Sequence, residues 1–205
     1  MTHSVLGLLL VLVAYASGAV PWGFVFGRVF ANVDIRRYGS GSTGATNTLR
    51  VLGWQFSIAV FVLDFLKGFI PLLLARQLGL NDWWIAAIAV AAVAGHCWSP
   101  VLGFRGGKGM ATGAGAAAAI IPWVLLVFPL MVLIVLVTRY VSLASIVGSS
   151  AVSVVVVALA LFAIVPWNES VAIVAITGII LLQHHTNIRR LLAGNERRFG
   201  EPAGG

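Results

Sequence analysis

Nine consecutive residues, Gly39-Ser40-Gly41-Ser42-Thr43-Gly44-Ala45-Thr46-Asn47, form the one long run of glycine and small, mostly hydroxyl-bearing residues in a chain otherwise rich in apolar side chains. Arg50 follows one turn later. Glycines let several backbone N–H groups point into one concavity, hydroxyls add donors, and a following helix N-terminus favours an anion. That chemistry is phosphate binding, with Ser40, Gly41, Gly44, Thr46 and Asn47 as the candidate cradle and Arg50 as its counter-charge. Gly39, Gly41 and Gly44 also fit G-x-G-x-x-G, but a dinucleotide fold needs a strand before the loop, and both flanks here are apolar helical stretches. A flexible linker is the plain alternative, although a linker has little need of Asn47 and Arg50 at i, i+3.

Three further polar segments carry chemistry. Gly95-His96-Cys97-Trp98-Ser99-Pro100 leads into Phe104-Arg105-Gly106-Gly107-Lys108-Gly109, where Gly106, Gly107 and Lys108 offer bare backbone and a point charge before a helix. This is no Walker loop, because neither the glycine spacing nor a Ser or Thr after Lys108 is right. Thr138 to Ser145 opens an apolar stretch and contributes Ser142 and Ser145, each of which also reads as a helix cap or helix contact. His184-His185-Thr186-Asn187 closes the last apolar stretch and sets His184 and Asn187 at i, i+3, on one helical face. Arg105 and Lys108 equally suit interfacial anchors, and Arg189, Arg190, Arg197 and Arg198 suit contacts with lipid phosphate.

The elements that must position these groups are membrane helices. Of 205 residues, 60% are hydrophobic and 9% charged, with mean hydropathy +1.02, so several stretches can cross a hydrocarbon layer of about 30 Å. Apolar helices are expected near Ser4–Phe26, Trp54–Leu78, Trp83–Leu102, Val141–Val165 and Val171–Ile188. The stretch from Gly109 to Val137 is too long for one span and holds Pro122 and Pro129, so it splits into two short helices near Pro122. Seven spans then gather nearly all the basic residues on one face, leaving Lys67 within a span and Arg76 at the far end. The expectation is an all-α integral membrane protein, a single domain over 1–205 built as a seven-helix transmembrane bundle, N-terminus outside and C-terminus cytoplasmic.

Thirteen Lys and Arg against six Asp and Glu give a net charge of +7. The basic residues are scattered among hairpins, which speaks against nucleic acid and for anionic lipid or substrate. Cys97 is the sole cysteine, so no intrachain disulfide forms. The acidic residues never cluster as metal ligands do. Asp64 and Lys67 fall mid-span at i, i+3, where a mutual ion pair is the leading reading and a transporter or channel built on that pair is the rival.

Together the segments resemble the bacterial acyl-phosphate:glycerol-3-phosphate acyltransferases, integral membrane enzymes of phospholipid synthesis. The resemblance is carried by Gly39-Ser40-Gly41, Gly44-Ala45-Thr46-Asn47 and Arg50, then Asp64-Phe65-Leu66-Lys67-Gly68, then Gly95-His96, Pro100, Phe104, Gly106-Gly107-Lys108-Gly109 and Ala111-Thr112. It continues through Ser142 and Ser145 to His184, Asn187-Ile188, Arg190-Leu191, Gly194 and Glu196. Ser42 departs from it, since the family usually has Asn there. The resemblance implies acyl transfer from acyl phosphate to the 1-hydroxyl of glycerol 3-phosphate, giving lysophosphatidic acid and phosphate, with no metal or other cofactor. It implies a bacterial plasma (inner) membrane enzyme with a cytoplasmic active site and a functional link to an acyl-phosphate-producing enzyme. Arg50, Lys108, His184 and Asn187 are then the expected catalytic residues. Ser40, Gly41, Gly44, Thr46, Asn47, His96, Gly106, Gly107, Ser142 and Ser145 are the expected substrate-binding residues. The general base is either His184 or a substrate phosphate oxygen.

Overall fold

The computed structural model describes residues 2–201, and they form helices joined by short loops. The first apolar stretch breaks in two, α1 (His3–Gly18) and α2 (Trp22–Ala31). Pro21 causes the break, because it lacks an N–H and disfavours helical geometry at Val20. The carbonyls freed there are used elsewhere: Ser99 Oγ donates to Ala19 O at 2.6 Å and Lys67 Nζ to Val20 O at 2.9 Å. A short amphipathic helix, α3 (Ala45–Leu52), follows the glycine-serine loop, and α4 (Trp54–Gln77) and α5 (Asp82–Cys97) form an antiparallel pair.

The stretch after Gly109 divides at Pro122 as its prolines dictate. It gives α6 (Met110–Ile120), a 3-10 turn at Pro122–Val127, and α7 (Phe128–Thr138). Then come α8 (Val141–Leu161), α9 (Trp167–Gln183) and α10 (His185–Leu192), the last two bent by 59° at His184. Sequence periodicity reads α9 and α10 as one helix; the bend lifts His184 out of it. Four helical stretches are long and apolar enough to cross a membrane, His3–Ala31, Trp54–Gln77, Asp82–Leu102 and Val141–Leu161, and the bent α9–α10 pair makes a fifth. Helices α6 and α7 are apolar but shorter.

The core runs along α5, whose Ile88, Ala89, Ala92 and Val93 are fully buried against α1, α4, α6 and α9. Small residues let these backbones approach closely. A Cβ on Gly68 would collide with the Thr112 carbonyl of α6, and one on Gly95 with the Tyr15 carbonyl of α1. Helix α7 buries no side chain and presents Leu130, Leu133 and Leu136 outward, as a lipid-facing helix does. The bundle has two chemically distinct ends. At one, Arg76 Nη2 donates to Ile120 O at 2.9 Å and meets Glu169 at 3.5 Å; the polar loops collect at the other.

Candidate active site

The glycine-serine loop is shaped from within by Asn47, which is 1% exposed. Its Nδ2 donates to Ile35 O and Ser42 O, both at 2.9 Å, and its Oδ1 accepts from Ser40 N at 2.8 Å. Expected as a phosphate donor, Asn47 instead uses its amide to fold the loop. The N–H of Gly41, which has φ +71°, turns back to Tyr38 O at 3.1 Å, away from the cavity. Before the loop, Asp34 accepts from Arg36 Nε at 2.9 Å and Nη2 at 2.7 Å, and these bonds hold its carboxyl at about 2, well below the usual range. In the first turn of α3, Asn47 N donates to Gly44 O at 3.1 Å, whereas the N–H groups of Ala45 and Thr46 have no intrahelical acceptor, and both residues line a cavity.

Behind the Lys108 loop lies a buried set of charges. Lys67 Nζ is 2.7 Å from Asp64 Oδ1, and His96 Nδ1 is 3.6 Å from the same oxygen. Gly107 N donates to His96 O at 3.0 Å and Gly106 N to Cys97 O at 2.9 Å. The His96 ring sits so close under Gly107 that any Cβ there would collide with Nε2. Gly106 and Gly107, expected to offer N–H groups to an anion, use them to dock the loop on α5. The lysine beside them has no hydrogen-bond or ion-pair partner among the described residues, and burial pushes its ammonium down to about 8 against the pull of Glu196.

The third wall is a clamp centred on Glu196. Its Oε1 accepts from Ser142 Oγ at 2.8 Å and Asn187 Nδ2 at 2.6 Å, and its Oε2 accepts from Arg190 Nε at 2.7 Å. These bonds, Arg190 first, hold the Glu196 carboxyl below its ordinary range despite burial. Ser142 and Ser145, expected among the substrate-binding residues, donate to Glu196 and to Val141 O (3.0 Å) respectively. Asn187 Oδ1 is buried with no partner among the described residues, an acceptor left for a ligand hydroxyl. His184 Nδ1 lies 2.8 Å from Ile180 O, which can only accept, so the neutral ring keeps its proton on Nδ1 and its Nε2 lone pair unused.

These walls enclose a cavity of about 620 Å³. At its polar end stand Ser40, Thr46, Arg50, Lys108, His184 and Asn187. Along its flank run Ile58 and Phe61 of α4 and Met131, Val132, Val135 and Leu136 of α7. Of the expected site residues, Ser40, Gly44, Thr46, Asn47, Arg50, His96, Lys108, Ser142, Ser145, His184 and Asn187 all line it, while Gly41, Gly106 and Gly107 do not. The sequence thus brings distant segments to one chamber with a cationic head and an apolar side. A family model described as glycerol-3-phosphate acyltransferase matches residues 8–194. The chain belongs to the glycerol-3-phosphate acyltransferase family.

Over 205 residues, 98% of each chain, it is 44% identical to the glycerol-3-phosphate acyltransferase of Rubrobacter xylanophilus. Two crystal structures of PlsY, an integral membrane glycerol 3-phosphate acyltransferase, superpose with TM-scores of 0.87 and 0.85 at 40% identity. They cover 95% of this chain, and 96% and 95% of their own chains are matched. One is the glycerol 3-phosphate form and the other the lysophosphatidic acid form. The transporter reading loses its motive in this glycerol-3-phosphate acyltransferase, because Asp64 and Lys67 pair with each other and Lys67 also donates to Val20 O. Sequence reasoning named Glu196 only as part of the family resemblance and gave neither it, Arg197 nor Phe199 a place among the expected site residues. The signal for Glu196 was its place in that resemblance, behind Gly194.

Proposed function

We propose that this acyltransferase moves a fatty acyl group from acyl phosphate to the 1-hydroxyl of glycerol 3-phosphate. The observation that carries the reading is the joining of a cationic polar end and an apolar flank in one cavity. Acyl phosphate needs both at once. Its phosphate sits among Arg50, Lys108 and the N-terminal N–H groups of α3 and α6, and its tail lies along α4 and α7. Glycerol 3-phosphate shares the polar end, where the unpartnered Oδ1 of Asn187 accepts a glycerol hydroxyl. The 1-hydroxyl oxygen attacks the acyl carbon, the bond from that carbon to the bridging phosphate oxygen breaks, and phosphate leaves with its electron pair. The hydroxyl proton goes to His184 Nε2 or to a phosphate oxygen. Because the anhydride is already activated, positioning and charge stabilisation supply the catalysis.

The finer topology belongs to the same reading. Seven crossings, with the N-terminus outside and the C-terminus cytoplasmic, put Arg28, Arg36, Arg37, Arg105, Lys108, Arg139 and Arg189 on the inner side and Arg76 on the outer. Exposed Trp83, Trp123 and Trp167 accompany Arg76 and suit one membrane interface, as exposed Trp54 at the opposite end of α4 suits the other. In a bacterial inner membrane the active site then faces the cytoplasm, beside a source of acyl phosphate. Incubating the purified protein with palmitoyl phosphate and glycerol 3-phosphate tests the function. Phosphate and lysophosphatidic acid are expected in equal amounts, with Lys108→Ala lowering kcat/KM at least about 100-fold, the loss of one charge-assisted contact in the transition state. Liposomes that transport a solute while consuming no acyl phosphate overturn the reading.

A further inference from the structure

Four basic side chains other than histidine face the cavity: Arg50, Lys108, Arg190 and Arg197. Arg190 is committed to Glu196, and the other acidic wall residue, Asp64, is committed to Lys67. Three cations are therefore left without a carboxylate partner among the described residues. The two bound phosphoryl groups, one on an ester and one on an acyl anhydride, bring about four negative charges near neutral pH, since a phosphate monoester has a second pKa of about 6 and an electron-withdrawing acyl group lowers that value. Without Arg197 only two cations face them.

Arg197 is exposed, yet its backbone is fixed on both sides. Before it, Glu196 is held by Ser142, Asn187 and Arg190. After it, Phe199 N donates to Arg139 O at 2.6 Å, Arg139 Nη2 donates to Phe199 O at 2.8 Å, and the Arg198 guanidinium lies 5.8 Å over the Tyr140 ring. A strap tied at two points thus presents the side chain between them. Beside it a smaller cavity of about 180 Å³, lined by Thr46, Leu49, Arg50, Phe199, Gly200 and Glu201, opens between the strap and α3. We propose that Arg197 is a substrate-binding residue, a third cation that contacts a substrate phosphoryl group and is delivered to the cavity by a strap tied to Arg139 and Tyr140. It lies beyond the residues matched by the family model. The inference rests on the proposed acyl transfer, which supplies the two phosphate-bearing ligands.

The test measures KM for acyl phosphate and for glycerol 3-phosphate separately in wild type, Arg197→Gln, Arg197→Lys and Arg139→Ala. Each is assayed in neutral detergent and in vesicles containing anionic lipid. Loss of one charge-assisted hydrogen bond predicts a rise of about tenfold in KM for one of the two substrates with Arg197→Gln, in both media, and kcat within about twofold. The substrate affected names the phosphate that is held. Arg197→Lys recovers part of the loss, and Arg139→Ala raises the same KM by a smaller factor through a loosened strap. Unchanged KM values for both substrates overturn the inference, as does an effect confined to anionic vesicles, which assigns Arg197 to lipid headgroups. Inactive wild-type protein sinks the acyl-transfer reading itself, whereas active wild type with normal Arg197→Gln sinks only this inference.

Discussion

Lys108 sits where burial and neighbouring guanidinium groups disfavour its charge and Glu196 favours it, with the balance at about 8. Its positive form is the one that serves an anion, so in the free enzyme the useful state declines as pH rises through 8. The expected profile of kcat/KM therefore falls on the alkaline side with an apparent pKa near 8, and Lys108→Arg moves that limb upward because a guanidinium stays charged. An alkaline limb unmoved in Lys108→Arg would assign it to another group. His184 and Gly107 give two sharper tests. If His184 takes the hydroxyl proton, His184→Ala lowers kcat at saturating glycerol 3-phosphate by about 100-fold or more; near-normal turnover hands that proton to phosphate. Gly107→Ala drives a methyl into the His96 ring, so it should cost activity that His96→Ala in the same molecule partly restores by making room. Equal losses in the single and double variants would break the link between that ring and the Lys108 loop.

At the scale of elements, the buried Asp64–Lys67 pair joins α4 to the broken turn between α1 and α2 through Val20 O. Removing one partner strands a charge inside the bundle, and a loss of about 3–5 kcal/mol is expected for Asp64→Ala. Replacing both, Asp64→Leu with Lys67→Met, should unfold near the wild-type temperature in detergent, because no lone charge remains. A double variant as unstable as the single one would mean that the pair is needed as ions. The proline-marked boundaries, at Pro122 above all, were legible because a missing N–H and a fixed φ are properties of the residue itself. The bend at His184 was not, since no proline or glycine marks it and its cause is tertiary, the docking of Asn187 and Arg190 on Glu196. The hydrogen-bond partners of Asn47 and Ser142 were illegible for the same reason. Residue type shows that a side chain can donate, but only the fold shows that Ile35, Ser42 and Glu196 receive those bonds first.

At the scale of the whole molecule, one end carries nearly every unpaired basic side chain and the other carries Arg76 with three exposed tryptophans. Cys97 is the only cysteine and is buried, so single cysteines added at exposed positions report the two sides cleanly. A membrane-impermeant maleimide is expected to label Gln77→Cys on intact cells and Arg37→Cys only after the membrane is opened. The reverse pattern inverts the bundle. Labelling of both from one side removes α4 as a crossing.

The trough walled by α4 and α7 leaves Ile58, Phe61 and Leu136 exposed where hydrocarbon would lie. A tail resting there is never wetted, which avoids a transfer cost of about 0.8 kcal/mol per methylene, roughly 12 kcal/mol for a palmitoyl chain. With acyl phosphate as the proposed donor, the new ester would slide sideways into the monolayer that delivered its precursor, while inorganic phosphate would escape into water. Each proposed turnover swaps one single-chain lipid for another of larger head, so the number of chains in that monolayer stays constant and only its headgroup area grows.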